Sequence, residues 1–261
     1  MINVIIPAYN CRATLGKTLA SLVAQTDTNF EAIVVDDCST ENIKSIVDDY
    51  SNKLNIVYIR NEKNLGAGMS RQVGIDNATQ KFVTFLDSDD MLMPYAVETF
   101  NSVIVTNPDT EYLHTYFYEQ ITIDGAPALF IHENNYTAHH GKLYNVEVIN
   151  RLGIKNSPLF RYAEDAYFNS MCGELMKMSI IKIPTMLWVN NKNSMIRKPD
   201  ANREELSRRD FFNAMLLSVK FALEKKGYID HLKYTITHLS EWLPLDEEEI
   251  ARLNEILIYV N

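Results

Sequence analysis

Residues 30–40 read FEAIVVDDCST, a short apolar run that ends in two aspartates. A run of this length, rich in Val and Ile and bounded by polar residues, is typical of a buried β-strand. The same pattern recurs on both sides of this stretch within the first hundred residues. The sequence therefore predicts four strands, at Asn3–Ile6, Glu31–Val35, Asn55–Ile59 and Phe82–Leu86.

Amphipathic segments separate these strands. Leu15, Leu19 and Leu22 follow helical spacing, and Asn10 is the predicted N-cap of that helix. Further helices are predicted over 41–50, over 67–77 and after Pro94, a residue that suits a first helical turn. Strand–helix alternation predicts an α/β fold with a mostly parallel sheet that is covered by helices on both faces. Ligands of such sheets bind beyond the carboxyl ends of the strands.

The second half of the chain has a different pattern. A strand is predicted over 111–119, a turn at Asp124–Gly125, a helix from Glu164, and one or two strands over 180–189. From about Glu204 onward the pattern is helical. We expect one main domain over 1–200, divided at about residue 110, followed by a helical extension over 201–261. Both tryptophans, Trp188 and Trp242, are expected in the core.

Bulk composition narrows the functional classes. The net charge of -9 disfavours a general binder of nucleic acid or of anionic membranes, because attraction to phosphate needs a basic surface. The three cysteines (Cys11, Cys38 and Cys172) lack the spacing of a disulfide framework or a metal site, so we expect reduced thiols. The sequence has no run of about 18 apolar residues, so no membrane-spanning segment is predicted. These features favour a cytoplasmic protein, and attachment to a membrane surface stays open.

Polar residues follow three of the predicted strands. They are Pro7–Asn10, Asp36–Thr40 and the aspartate-rich run 87–90. A single acid is enough to cap a helix, and these clusters contain more. Grouped carboxylates repel one another unless a cation or hydrogen-bond donors hold them, and oxygen ligands suit Mg²⁺ or Mn²⁺. The sequence therefore predicts a metal site at this edge of the sheet.

Four blocks in this region carry a family resemblance: VIIPAYN (4–10), VVDDCST (34–40), NLGAGMSRQVG (64–74) and FLDSDD (85–90). In type, order and spacing they resemble family 2 glycosyltransferases with the GT-A fold, over residues 2 to about 95. The resemblance implies an inverting enzyme that moves a sugar from a nucleotide-diphosphate donor to a hydroxyl acceptor. By frequency in the family, the expected donor is a UDP-sugar. The resemblance also implies that residues 1–200 are a catalytic domain, with a donor half over 1–110 and an acceptor half over 111–200.

The resemblance also implies roles for individual residues. Tyr9 would lie against the base, Asp37 (or Asp36 in its place) would bind base or ribose, and Arg71 would be directed at the nucleotide. Asp89 would ligate Mn²⁺ or Mg²⁺ directly, and Asp87 would reach the ribose or the waters of the metal. The full implied donor site is Pro7, Ala8, Tyr9, Asp36, Asp37, Asn64, Arg71, Asp87 and Ser88.

A general base is implied by the Glu164–Asp165 pair, which resembles the E–D pair of the family. Asp165 is the predicted base that removes the acceptor proton, and Glu164 is its predicted catalytic neighbour. The alternative is that both are acids of a helix N-terminus, where the helix dipole favours them.

The segment WVNNKNSMI (188–196) resembles the closing segment of the family, in which a histidine often adds a metal contact. Asn190 or Asn191 occupies that place here, which puts a third protein ligand in doubt. The adjacent His139 and His140 are expected to point in different directions, so a site with two histidines is not expected. Candidate contacts to the diphosphate or the acceptor are Asn191, Arg197, Lys198, His140 and Lys142.

The acceptor is expected to be a glycan or a lipid-linked sugar, and dimerisation through the helical tail is a further hypothesis. Alternatives are a transferase acting on nucleic acid or protein, and a nucleotide-binding module without turnover. A sugar-nucleotide pyrophosphorylase would need a Gly-rich, Arg-containing loop after the first strand, which PAYNCRA lacks. A glycoside hydrolase would leave the nucleotide motifs unexplained.

Overall fold

The computed structural model describes residues 1–123, 126–133, 138–189 and 203–260. These residues form one nine-stranded sheet flanked by helices. The strands are β1 (Ile2–Ala8), β2 (Phe30–Asp36), β3 (Ile56–Arg60), β4 (Phe82–Phe85), β5 (Met91–Leu92), β6 (Tyr112–Ile123), β7 (Ala126–His132), β8 (Lys142–Asn145) and β9 (Met178–Val189). The helices are α1 (Leu15–Val23), α2 (Lys44–Tyr50), α3 (Ala67–Asp76), α4 (Ala96–Thr106), α5 (Val146–Leu152), α6 (Glu164–Leu175), α7 (Arg203–Lys226), α8 (His231–Thr237), α9 (Leu239–Trp242) and α10 (Glu247–Val260).

The first half of the sheet is parallel, as the strand–helix alternation predicts. Its order is β3-β2-β1-β4, and all three neighbouring pairs run in the same direction. The four carboxyl ends therefore meet at one edge, where the polar clusters follow. The α/β fold class is confirmed, and each of the four predicted strands matches an observed strand to within one or two residues.

The second half is mixed. Strand β8 lies antiparallel between β4 and β6, β9 runs parallel to β6, and β5 is antiparallel to β9. The predicted turn residues Asp124 and Gly125 lie outside the described residues, and β6 and β7 on either side of them pair antiparallel. The mixed half brings the loop before β8 and the start of α6 to the carboxyl edge of the parallel half.

Alternation along the buried strands divides the core into two layers. Ile2, Val4 and Ile6 face the layer that contains α1 and α4, whereas Ile5 faces the layer of α3, α5 and α6. Gly74 permits close packing of α3 on β1, because a Cβ there would lie 2.3 Å from the Ile5 side chain.

The C-terminal helices pack directly on α6. Ala163 and Ala166 share one apolar cluster with Phe212 on α7 and with side chains of α8 and α10. The buried carboxylate of Glu174, on α6, accepts hydrogen bonds from the backbone amides of Asp230 (2.7 Å) and Leu232 (2.9 Å) at the start of α8. It also forms a 2.9 Å ion pair with Lys226. The extension over 201–261 thus shares a core with α6, and its status as a separate domain stays a prediction.

The cysteines, the tryptophans and the helices each bear on an expectation from the sequence. Cys11, Cys38 and Cys172 are free thiols. Trp188 packs against the core as expected, but Trp242 is half exposed, so its prediction as a core residue is wrong. Among the described helices, none has both the length and the apolar character needed to cross a bilayer.

Candidate active site

The loops after β1 and β2 are tied together by Asn10. Its backbone is left-handed (φ 47°), as is that of Cys38 (φ 62°), a conformation that non-glycine residues seldom adopt. The Asn10 side chain accepts a 2.8 Å hydrogen bond from the Thr40 amide. The prediction of Asn10 as a helix cap is therefore wrong, since α1 begins only at Leu15. Tyr9 is half exposed beside this junction, so its ring is open to a stacking partner.

Asp36 is fully buried at the carboxyl end of β2. Its carboxylate accepts hydrogen bonds from the Tyr58 hydroxyl, the Arg60 guanidinium and, at 2.8 Å, the Ser39 amide. Burial alone raises the pKa of Asp36, but these hydrogen bonds outweigh it and hold the pKa below its ordinary value. Asp36 is therefore an ionised residue that organises the loop.

Asp37 holds the loop that leads into α3. Its carboxylate accepts hydrogen bonds from the Leu65 and Gly66 amides (both 2.8 Å) and from the Asn61 side chain (2.9 Å). The Asn64 side chain donates to the Asp37 carbonyl at 3.2 Å. These bonds give Asp37 and Asn64 a structural role, and their predicted contact with a nucleoside stays a prediction.

Arg71, on α3, links the aspartate run after β4 to the start of α6. One terminal nitrogen donates to Asp87 Oδ1 at 2.7 Å, and the other donates to Glu164 Oε1 at 3.1 Å. The side chain is 5% exposed. Sequence reasoning directs Arg71 at the nucleotide, whereas in the structure its guanidinium bridges the aspartate run after β4 and the acidic pair of α6.

The aspartate run after β4 contains carboxylates in different states. Partial burial raises the pKa of Asp87, but the Arg71 guanidinium outweighs it and keeps that pKa below its ordinary value. Burial, with repulsion from Asp90 and Asp87, raises the pKa of Asp89 to about 7. Burial also raises the pKa of Asp90. Negative charge is crowded here, which is the condition under which a cation stabilises a site.

The side chains at this position offer atoms that can ligate a divalent cation. Ligand atoms of Asp87, Asp90 and His140 lie within 4.8 Å of one another, in a combination of carboxylate and imidazole ligands that Mn²⁺ accepts. Asp89, the residue that sequence reasoning favours as the direct ligand, is not part of this group within the described chain, although it adjoins Asp90. Its role as a ligand stays a prediction.

The Glu164–Asp165 pair begins α6, where sequence reasoning predicts a helix start. Burial raises the pKa of Glu164 to about 7 against the opposing effect of Arg71, and burial also raises the pKa of Asp165. Gly68 packs against Glu164, because a Cβ on Gly68 would lie 2.8 Å from the Glu164 side chain. The glycine therefore leaves room for Glu164, which its sequence position alone does not reveal.

A buried polar network supports the start of α6. The Asn169 amide nitrogen donates to the Asp165 carbonyl at 2.9 Å, and its oxygen accepts from the hydroxyls of Tyr112 (2.9 Å) and Tyr144 (2.7 Å). His139 Nδ1 lies 3.0 Å from the Tyr144 hydroxyl. Sequence reasoning missed this network. A signal of it in the sequence is the four-residue spacing of Asp165 and Asn169, which places two polar side chains on the same face of α6.

The candidates for diphosphate or acceptor contacts lie in different environments. Lys142 is buried, its Nζ lies 5.9 Å from the centre of the Tyr112 ring, and it has no hydrogen-bond partner in the described chain. The side chain is thus withdrawn from solvent in the structure, and its contact with the diphosphate or the acceptor stays a prediction. His140 lies at the acidic cluster, and Ser88 is partly exposed there. Asn191, Arg197 and Lys198 lie outside the described residues.

Sequence comparison relates the chain to known proteins. The family model "Glycosyl transferase family 2" matches residues 3–160. An uncharacterized glycosyltransferase of Haemophilus influenzae is 40% identical over 114 residues, which are 44% of this chain and 38% of that protein. Poly(ribitol-phosphate) beta-N-acetylglucosaminyltransferase TarS of Staphylococcus aureus is 43% identical over 93 residues, 34% of this chain and 16% of that protein. The chain thus spans well under half the length of these curated relatives.

Solved structures with the same fold extend over almost the whole chain. TarS 1–349 of S. aureus in complex with UDP-GlcNAc matches with a TM-score of 0.72 and 22% identity, covering 99% of this chain and 72% of that one. Mannosyltransferase PcManGT of Pyrobaculum calidifontis, in complex with GDP-Man and Mn²⁺, matches with a TM-score of 0.63 and 16% identity, covering 99% and 73%. At these identities the match shows the fold, which is of the GT-A type.

Proposed function

Because the chain belongs to glycosyl transferase family 2, we propose that it transfers a sugar from a nucleoside diphosphate to a hydroxyl acceptor with inversion. UDP is the proposed donor nucleotide, since TarS, which resembles the chain in both sequence and fold, has been solved with UDP and with UDP-GlcNAc. GDP is the alternative, because PcManGT has been solved with GDP-Man.

The observation that carries the proposal is the double ion pair of Arg71. Its 2.7 Å contact with Asp87 and its 3.1 Å contact with Glu164 link residues that are far apart in the chain. The aspartate run suits a diphosphate with its cation, and the acidic pair suits proton removal. A transferase needs both within one cleft, because the acceptor hydroxyl must attack the carbon from which the diphosphate departs.

In this proposal a divalent cation is held by Asp89 and Asp87, with Mn²⁺ and Mg²⁺ as the candidates. When bound, such an ion supplies electrostatic stabilisation of the negative charge that develops on the departing diphosphate. Its identity is part of the proposal.

Asp165 is the proposed general base. Its raised pKa makes this carboxylate a better proton acceptor than an ordinary aspartate. In the proposed step, the acceptor oxygen bonds to the anomeric carbon while the bond from that carbon to the β-phosphate oxygen breaks. The electron pair leaves with the nucleoside diphosphate, and the acceptor proton passes to Asp165.

The hydrogen bonds that Asp165 makes at the start of α6 are consistent with this role. Its Oδ1 accepts a 2.7 Å hydrogen bond from the Ala166 amide, and Asn169 holds its carbonyl. The first bond restricts the carboxylate and the second restricts the backbone that carries it, so less entropy is lost when the acceptor arrives. Glu164, which pairs with Arg71, is the proposed positioning neighbour.

We extend the proposal to the chemical class of the acceptor. A glycan or lipid-linked sugar hydroxyl is the proposed acceptor, and a nucleic-acid or protein hydroxyl is the alternative. A homodimer and a cytoplasmic location, free or at a membrane surface, remain predictions. A nucleotide-binding module without turnover is the competing function, and it differs in leaving the donor intact.

Donor consumption tests the proposal. The chain is incubated with UDP-GlcNAc, UDP-glucose or GDP-mannose and a panel of glycan acceptors, with Mn²⁺ or with EDTA, and the released nucleoside diphosphate is measured. We expect Mn²⁺-dependent release from one UDP-sugar, and NMR of the product should show inversion at the anomeric carbon. Binding of UDP without release from any donor would favour the non-catalytic module. Release that is unaffected by EDTA would contradict the role of the cation.

A further inference from the structure

His140 lies in the turn before β8, and its ring is held between two aromatic side chains. The ring centre is 5.0 Å from that of Phe117 on β6 and 5.3 Å from that of Trp188 on β9. These contacts fix the plane of the imidazole. A metal ligand benefits from such a fixed orientation, because little conformational entropy is then lost on coordination.

The fixed imidazole faces the aspartate run. His140 Nε2 lies 3.5 Å from Asp90 Oδ2. The other oxygen of Asp90 accepts a 2.8 Å hydrogen bond from the Val189 amide, which anchors that carboxylate from β9. With Asp87, these residues place three potential ligand atoms within 4.8 Å of one another. Ligands at about 2.0–2.3 Å from a common ion lie about 3–4.5 Å apart, so small movements would complete the site.

His139 provides an internal contrast. Its ring centre lies 4.7 Å from that of Phe85, and its Nδ1 faces the Tyr144 hydroxyl within the core. The two adjacent histidines therefore point to different environments, as their adjacency predicts. His139 belongs to the buried network beneath α6, and His140 belongs to the acidic cluster.

We propose that His140 is a direct imidazole ligand of the divalent cation, together with Asp87 and Asp90. The inference rests on the proposed function, which requires a cation at this edge of the sheet. It assigns the nitrogen ligand to the turn before β8, and it makes Asp90 a ligand in addition to a structural acid. The segment after β9, where Asn190 and Asn191 stand, then need not supply a histidine.

Pulsed electron paramagnetic resonance of Mn²⁺ bound to the full chain tests this inference without any turnover. A coordinated imidazole gives ¹⁴N modulation of the Mn²⁺ echo, and we expect this modulation in the wild-type chain. His140→Ala should abolish it and weaken Mn²⁺ binding by about tenfold or more. The matched control is His132→Ala on β7, whose ring pairs with Glu119. This variant should keep both the modulation and the affinity.

Labelling the wild-type chain with ¹⁵N-histidine gives a readout that needs no substitution, in case His140→Ala fails to fold. The modulation should change from the ¹⁴N to the ¹⁵N pattern. If the folded His140→Ala chain keeps its ¹⁴N modulation, or if labelling leaves the pattern unchanged, the inference is overturned while the proposed function stands. If the wild-type chain binds no Mn²⁺ with or without UDP, both are overturned.

Discussion

Replacing Lys142 with methionine should stabilise the protein, which is an unusual outcome for a substitution near a candidate active site. The Lys142 Nζ is buried and has no hydrogen-bond partner in the described chain. Burial lowers the pKa of this lysine from 10.5 to about 7, against an opposing effect of Asp165. In the unfolded chain the Lys142 amine is protonated and hydrated at pH 7. Folding must therefore either remove this proton or bury the charged ammonium.

The free-energy cost of burying Lys142 follows from the difference between its proton affinities in the folded and the unfolded chain. Each tenfold change in proton affinity is worth about 1.4 kcal/mol, so the lowered pKa of Lys142 reduces the free energy of unfolding by about 4 kcal/mol at pH 7. Between pH 7 and pH 10.5 the unfolded chain binds more protons at this site than the folded chain, so wild-type stability rises with pH across that window. At pH 9.5 the remaining cost is about 1–2 kcal/mol.

Methionine has a similar length and no charge, and a misfit in packing should cost less than about 1.5 kcal/mol. Lys142→Met should therefore raise the free energy of unfolding by about 3 kcal/mol at pH 7 and by little at pH 9.5. Urea denaturation at both pH values measures this difference, and Lys177→Met, at an exposed position, is the control. A Lys142→Met chain that is less stable than wild type at pH 7, or a gain that does not shrink with pH, would refute the reasoning.

The other predictions concern the carboxylates around Arg71. Asp165→Asn should lose transfer but bind UDP with Mn²⁺ as wild type does; near wild-type turnover would remove it as the base. Gly68→Ala should displace Glu164, lower the free energy of unfolding by about 1–3 kcal/mol and reduce turnover, as steady-state kinetics and urea denaturation can show; unchanged turnover would contradict the packing argument. Arg71→Met should destabilise the chain by about 3–5 kcal/mol at pH 8. That deficit should be smaller at pH 5, where Glu164, whose pKa is already about 7, is protonated in the folded variant. Equal deficits at both pH values would show that the unpaired carboxylates are not its cause.

The parallel half of the fold could be predicted from sequence because each strand is a local signal. The four residues Ala32–Val35 that precede Asp36 are buried on both faces of the sheet and are all apolar, and polar residues bound them on both sides. The mixed half follows from pairings between distant segments, such as β6 with β9, whose register shifts near Thr115 and Tyr116. No local pattern encodes such a partner.

At the site, residue types were predictable and their contacts were not. The acids after β4 and at the start of α6 carry the resemblance to the family, so their positions could be recognised. That Arg71 joins Asp87 to Glu164, however, depends on how α3 packs beneath α6. The burial of Lys142 and the direction of His140 are set in the same way, by tertiary packing around one strand and the turn before it.

Calorimetric titration of UDP into the chain, with Mn²⁺ and after EDTA, tests most directly the claim that the aspartate run holds a nucleotide's diphosphate through a cation. We predict binding at one site with Mn²⁺ that weakens by at least about tenfold without it, and that weakens equally when Asp87 and Asp89 are both changed to Asn. Equal affinity for UDP with Mn²⁺ and with EDTA, or full metal-dependent binding by the double variant, would contradict it.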